Sequence, residues 1–96
     1  MGHYVLLVKL TEKGKADLKS ALKHREEAMQ YVEKLGGKHK EVYTTFGRYD
    51  VVEILEMPND EAAMKVVIKA AQSGTVKIET LRGFTEAEMK KITEGL

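Results

Sequence analysis

Arg48 and Asp50 lie two residues apart between Tyr43, Tyr49 and an apolar run, and they are the side chains of this chain best suited to hold a small charged molecule. A guanidinium clamps a carboxylate through parallel N–H donors, a carboxylate receives an amine, and tyrosine rings can wall the site. Gly47 precedes them, and the whole run Thr44-Thr45-Phe46-Gly47-Arg48-Tyr49-Asp50-Val51-Val52-Glu53-Ile54-Leu55-Glu56 reads as two antiparallel strands joined by a tight hairpin. A glycine at the first central position suits a type II′ turn, where φ is positive. A structural reading stands beside the functional one: Gly47 serves the turn, Asp50 satisfies backbone donors and Arg48 is solvated. Arg82, near the end of the last predicted strand, either reaches a bound anion or pairs with a sheet-end carboxylate such as Asp50.

Other chemistry is sparse. Without cysteine there is no thiolate and no disulfide, and Ser20 and Ser73 at helix ends offer no nucleophile elbow. His3, His24 and His39 fall on a strand start, a helix and a strand, without the spacing of a metal site, so no metal is expected. His24, followed by Arg25, Glu26 and Glu27, reads as part of a solvated face. Glu53, Glu56 and Glu79 sit in apolar strands; each is either an acid or base in a cavity or a cross-strand partner for Lys40 or Lys77. Gly36-Gly37 ends a helix, whereas a phosphate loop opens one, and no cofactor is expected.

The elements that must position these residues follow from periodicity. His3 to Leu10 is a continuous apolar run, as in a strand buried on both faces. Thr11 caps a short lead-in helix interrupted by Gly14, with a kink before Ser20. Leu18, Leu22, Met29, Val32 and Leu35 recur at helical spacing up to the Gly36-Gly37 stop. Strands are predicted over Lys38–Phe46 and Tyr49–Met57. Pro58 ends the second of these, Asn59 or Asp60 caps a helix through Ala71, and Ala62, Ala63, Val66, Val67, Ala70 and Ala71 form its buried side. Thr75 to Arg82 alternates as a fourth strand, and Thr85 with Glu88 makes a capping box for a last helix. The order β-α-β-β-α-β with a helical tail predicts an α+β fold: a ferredoxin-like sandwich with a four-stranded antiparallel sheet, in one domain over residues 1–96.

Sixteen basic and fifteen acidic residues nearly cancel, so there is no field to attract nucleic acid or an anionic membrane. The longest apolar run is too short to span a bilayer and has no signal-peptide character, which points to the cytoplasm. Two helices cover only one face of a four-stranded sheet, yet the first and third strands are apolar on both faces. Val5 and Leu7 oppose Tyr4, Leu6 and Val8, and Val52 and Ile54 oppose Val51 and Leu55. A second subunit packed sheet to sheet would cover the remainder, so a homodimer or higher homo-oligomer is expected.

The opening Tyr4-Val5-Leu6-Leu7-Val8-Lys9-Leu10-Thr11, the Gly36-Gly37-Lys38 stop, Gly47-Arg48-Tyr49-Asp50 and the tail Glu79-Thr80-Leu81-Arg82-Gly83-Phe84-Thr85 together resemble the GYD domain family over nearly the whole chain. That resemblance implies the dimeric α/β-barrel superfamily, in which two ferredoxin-like sheets face each other, and implies no particular reaction. Thr45-x-Gly47-x-x-Asp50 and Gly74-Thr75-Val76 are also similar to the effector-binding domain of leucine-responsive, AsnC-type regulators, which implies amino-acid binding near this turn at a subunit interface.

The expected function is a non-catalytic module that binds or senses an amino acid or small carboxylate through Tyr43, Gly47, Arg48, Tyr49, Asp50 and Arg82. One alternative is an enzyme resembling the cofactor-free monooxygenases or isomerases of the same superfamily. It requires buried polar residues, such as His24, Tyr43 or Glu53, facing a real cavity between helices and sheet. The other is a purely structural interaction protein.

Overall fold

The apolar run at the start of the chain becomes the central strand of the molecule. In the computed structural model, which describes residues 1–96, β1 (Gly2–Leu10) pairs antiparallel with both β3 (Val51–Met57) and β4 (Val76–Gly83). β2 (Lys38–Thr44) lies at the edge, giving a four-stranded order β2-β3-β1-β4. The two-residue alternation of strands then sorts the side chains. Tyr4, Leu6 and Val8 of β1 and Leu55 and Met57 of β3 are buried, and the helices cover them. Val5, Leu7, Val52 and Ile54 lie half-buried on the opposite face, which the two long helices leave open.

Helices form where the sequence supplies caps. The Thr11 hydroxyl accepts from the Gly14 N–H and opens α1 (Glu12–Ala16). The expected break follows at Asp17, whose carboxylate accepts from the Ser20 N–H at 3.1 Å and starts α2 (Leu18–Lys34). Asn59 caps α3 (Asp60–Gln72), and Ala62, Ala63 and Val66 on its buried face let it approach the sheet closely. Thr85 and Glu88 form the capping box of α4 (Glu86–Ile92), whose Met89 and Ile92 stay exposed. No helix is long and apolar enough to cross a membrane.

The connection between β2 and β3 departs from the expected tight turn. β2 ends at Thr44 and β3 begins at Val51, leaving a loop over residues 45–50 in place of a two-residue hairpin. The cause is Asp50, which belongs to β1 as much as to β3. Its N–H donates to the Val8 carbonyl at 2.8 Å, and its carboxylate accepts from the Leu10 N–H at 2.8 Å. The loop is closed by the Thr45 N–H on the Asp50 carbonyl and by the Thr45 hydroxyl on the Tyr49 carbonyl. Gly47 keeps the expected positive φ, at 114°.

Gly14 has a packing reason rather than a conformational one. The Thr75 carbonyl accepts from the Thr11 N–H at 2.9 Å, and a Cβ on Gly14 would lie 2.2 Å from that same oxygen. Gly14→Ala should therefore lower stability by about 1–3 kcal/mol despite alanine's better helix propensity, as read from urea unfolding midpoints.

Candidate functional site

A cavity of ≈ 360 Å³ opens between α2 and the sheet, near the lower end of the ~300–1,000 Å³ range of small-molecule sites. Its walls are mainly aliphatic, with Leu6 and Val8 from β1, Met29 and Val32 from α2, and Val66 from α3 among them. Leu18 and Leu22 of α2, expected in the core stripe, border the cavity and are about half exposed, at 53% and 52%. Polar lining comes from His24 and Arg25 of α2, His39 of β2, Glu53 of β3, the loop residues Thr45 and Asp50, and Ser73 and Thr75; Arg25, His39 and Glu53 meet where α2 crosses the edge of the sheet.

Register explains their arrival. Glu53 pairs with Leu6 of β1 and Val42 of β2, so it points to the helix-covered side. Its side chain is 12% exposed. Glu53 Oε1 lies 3.7 Å from Arg25 Nε, and its Oε2 lies 3.8 Å from His39 Nε2. Both separations exceed a hydrogen bond. His24 Nδ1, Arg25 Nε and His39 Nδ1 are buried atoms without a hydrogen-bond partner. Glu53 is thus the cavity carboxylate that its strand pattern allowed, and its neighbours are Arg25 and His39 rather than Lys77 or Lys40. His24 is not on a solvated face. No group of three or more histidine or acidic side chains comes together as a metal site.

The loop residues are divided rather than gathered. Asp50 turns to the cavity side, with its carboxylate committed to the Leu10 N–H. Tyr49 turns the other way, and its hydroxyl donates to Glu79 of β4. Arg48 is exposed and sits 5.8 Å from the centre of the Tyr49 ring. Tyr43 faces away from the cavity opposite Val52 and is 57% exposed, so it is not one of the buried polar residues an enzyme would need.

Arg82 does not meet the loop at all within one chain. It pairs with Tyr4, whereas Asp50 reaches Val8, four residues and about 13 Å further along β1. There the Arg82 guanidinium lies 4.5 Å from the Phe84 ring centre and 5.3 Å from that of Tyr4, and donates to the Gly83 and His3 carbonyls. The Tyr4 hydroxyl beside it donates to Asp60.

Within this sheet order, the GYD domain model matches residues 4–93. The chain belongs to the GYD domain family. No curated protein matches it. Among solved structures, this GYD domain is similar to the feast or famine regulatory protein from M. tuberculosis complexed with L-methionine, with a TM-score of 0.64 and 9% identity over 88% of this chain and 51% of that one. The C-terminal domain of the MgtC protein from Mycobacterium tuberculosis gives 0.63 at 12% identity, covering 85% of this chain and 86% of that one. A protein from Thermus thermophilus gives 0.56 at 22% identity, covering 88% of this chain and 95% of that one. At these identities the likeness is one of fold, and it agrees with the ferredoxin-like α+β architecture. The GYD domain spans about half the length of the feast or famine regulator.

The electrostatics of the cavity follow from burial. Desolvation pushes the Glu53 carboxyl above its ordinary value of 4.5, and the Arg25 charge opposes that rise only in part. Desolvation pushes the His39 imidazole below its ordinary 6.5, with Arg25 adding to the fall and Glu33 opposing it. Glu53 therefore keeps its proton to higher pH than a free carboxyl does, and His39 gives up its proton at lower pH than a free imidazole does.

A raised folded-state value means that the native GYD domain holds a proton on Glu53 which the unfolded chain has already released. Glu53 accordingly costs stability as pH rises from 4.5 through its folded value. The stability of the wild type relative to Glu53→Gln should increase as pH falls from 7 towards 4.5, and urea unfolding of the two proteins across that range measures it.

Proposed function

We propose that this GYD domain is a cytoplasmic small-ligand binding or sensing module, taking an amino acid or a small carboxylate into the α2–sheet cavity. One observation carries the reading: an aliphatic cavity lined by His24, Arg25 and His39, each with a buried, unpartnered nitrogen. A buried polar atom without a partner costs stability, typically about 1–3 kcal/mol, and is satisfied when a ligand brings the matching group. The loop of Gly47 to Asp50 borders the cavity through Asp50. A purely structural role leaves both the cavity and the orphaned nitrogens without a reason.

The enzyme alternative has its own support in Glu53 Oε2 lying 3.8 Å from His39 Nε2 at the cavity wall, an arrangement able to move a proton on a bound substrate. Thermal-shift screening against amino acids and small carboxylates should give a stabilising ligand whose effect persists in Arg48→Ala. Ala28→Phe, which fills the cavity, should abolish it. A ligand effect that survives Ala28→Phe and disappears in Arg48→Ala would move the site to the loop. Recovery of the ligand unchanged in its NMR spectrum after prolonged incubation marks a binding module, and new signals that require Glu53 mark an enzyme.

A second copy is the proposed partner, packed on the uncovered face of the sheet. Val5, Leu7, Val52, Ile54 and Leu81 lie on that face, with Leu81 itself 47% exposed. An apolar surface of this kind on a small domain is favourable to self-association. Sedimentation at micromolar concentration should give a dimer or higher oligomer, and Val52→Glu should shift it to monomer; a wild-type monomer under those conditions would refute the assembly.

A further inference from the structure

The cavity has a composition that selects among ligands. We propose that it takes a monocarboxylate with an apolar tail, and that the carboxylate enters together with one proton, held between Arg25, His39 and Glu53. This rests on the α2–sheet cavity being the ligand site.

The orphaned atoms set the head group. All three are nitrogens, on His24, Arg25 and His39. The Arg25 Nε–H can only donate, so it calls for an oxygen. Glu53 is too distant to serve, its nearest oxygen standing 3.7 Å away. A ligand carboxylate supplies acceptors to Arg25 and, for the appropriate tautomer, to an imidazole N–H. An amino acid would set its ammonium against the Glu53 carboxylate and enter without an added proton, so proton uptake tells the plain carboxylate from the amino acid. The aliphatic lining of Leu6, Val8, Leu22, Met29 and Val66 sets the rest of the molecule.

Charge then requires the proton. Arg25 and Glu53 cancel one another, and few other charges bear on Glu53. β2 presents His39, α2 presents His24 beside Arg25, β1 presents Leu6 and Val8, and α3 presents Val66 and Ala70. Asp50, at the loop end of the cavity, is held on the Leu10 N–H, and Glu33 acts on His39. A second carboxylate entering beside Glu53 places two like charges in a desolvated space, where one proton shared between them relieves the repulsion. Burial already disposes Glu53 to receive it. The proton comes from solvent and returns there when the ligand leaves.

Calorimetric titration of the full chain with octanoate, 2-aminooctanoate and octanol tests the assignment. Octanoate, fully ionised at both pH 6 and pH 8, should bind about tenfold or more weakly at pH 8, since uptake of one proton changes affinity by up to about tenfold per pH unit. Heats in two buffers of different ionisation enthalpy should report uptake near one proton for the wild type. In Glu53→Gln the uptake should vanish, with affinity equal at the two pH values within about twofold. Arg25→Gln should lose octanoate binding. Unfolding of each variant, followed in parallel, separates loss of the site from loss of the fold. An octanoate affinity that is flat between the two pH values, or proton uptake that persists in Glu53→Gln, overturns the proton coupling. Tighter binding of octanol overturns the carboxylate, and tighter binding of 2-aminooctanoate overturns the choice of a plain monocarboxylate over an amino acid; either leaves the cavity as the ligand site. Failure of all three at millimolar concentration overturns both.

Discussion

Two helices and four strands impose the constraint on which everything else depends: one face of the sheet is covered and the other is not. β1 is the hinge of that arrangement, because it pairs on both sides and so transmits one alternation to β3 and β4 together. Leu6 beside Glu53 and Thr80 defines the covered side, and Leu7 beside Val52 and Glu79 defines the open one. A one-residue slip would exchange the two sets completely. The double anchorage of Asp50, backbone on Val8 and carboxylate on Leu10, acts against such a slip at the end of the sheet where the loop begins. The last residue of the Gly47-Arg48-Tyr49-Asp50 run therefore has a physical job independent of any ligand.

Close packing of the covered side is uneven. α3 carries alanines at Ala62 and Ala63 and lies tightly on the sheet, so that Leu55 and Met57 beneath the helices are almost wholly buried. α2 crosses over the half of the sheet that holds Glu53, where a carboxylate, a guanidinium and two imidazoles take the place of apolar residues. An apolar side chain at that position would give better core packing, since a desolvated ion pair seldom repays its loss of hydration. The 3.7 Å separation of Arg25 and Glu53 makes the point more strongly, because charges at that distance gain attraction without the hydrogen bond that usually justifies burying them. A departure from good packing that also surrounds a cavity is what a binding site requires and what a purely structural core does not.

Periodicity made the fold readable. The two-sided strands, the break before Ser20, the Asn59 cap, the Thr85–Glu88 box and the face of Glu53 all rest on local rules that operate within a few residues. The site was less legible, and the reasons are particular. His24 stands among Arg25, Glu26 and Glu27, and local charge implies solvent; only the gap beneath α2 turns His24 and Arg25 inward. Arg82 and the Gly47 loop both lie near strand ends, but β4 runs antiparallel to β1, so its last residues lie beside the first residues of β1. The connection is longer than its glycine pattern implies because the backbone of Asp50 is claimed by a strand that is distant in sequence. Glycine patterns report turn chemistry and carry no information about such a third strand. The structural reading of Asp50, as a residue satisfying backbone donors, is the one its hydrogen bonds support.

The alternation that separates the cavity from the open face also keeps them adjacent. Glu53 lies between Val52 and Ile54, so along β3 the cavity wall and the uncovered apolar surface alternate residue by residue. Adjacent side chains on the two faces share one stretch of backbone, so a change large enough to shift it is felt on both. Substitutions on the two faces of β3 are consequently expected to be non-additive, in contrast to changes placed more than about 7–10 Å apart. His3 extends the same logic to the far end of the sheet. It projects to the open face 3.5 Å from Glu56 and 3.8 Å from Glu88 of α4, and so links the start of the chain to its tail. Tyr4, the next residue, projects to the covered face and joins Asp60 at the start of α3. The central strands are thus one element with two chemically distinct surfaces.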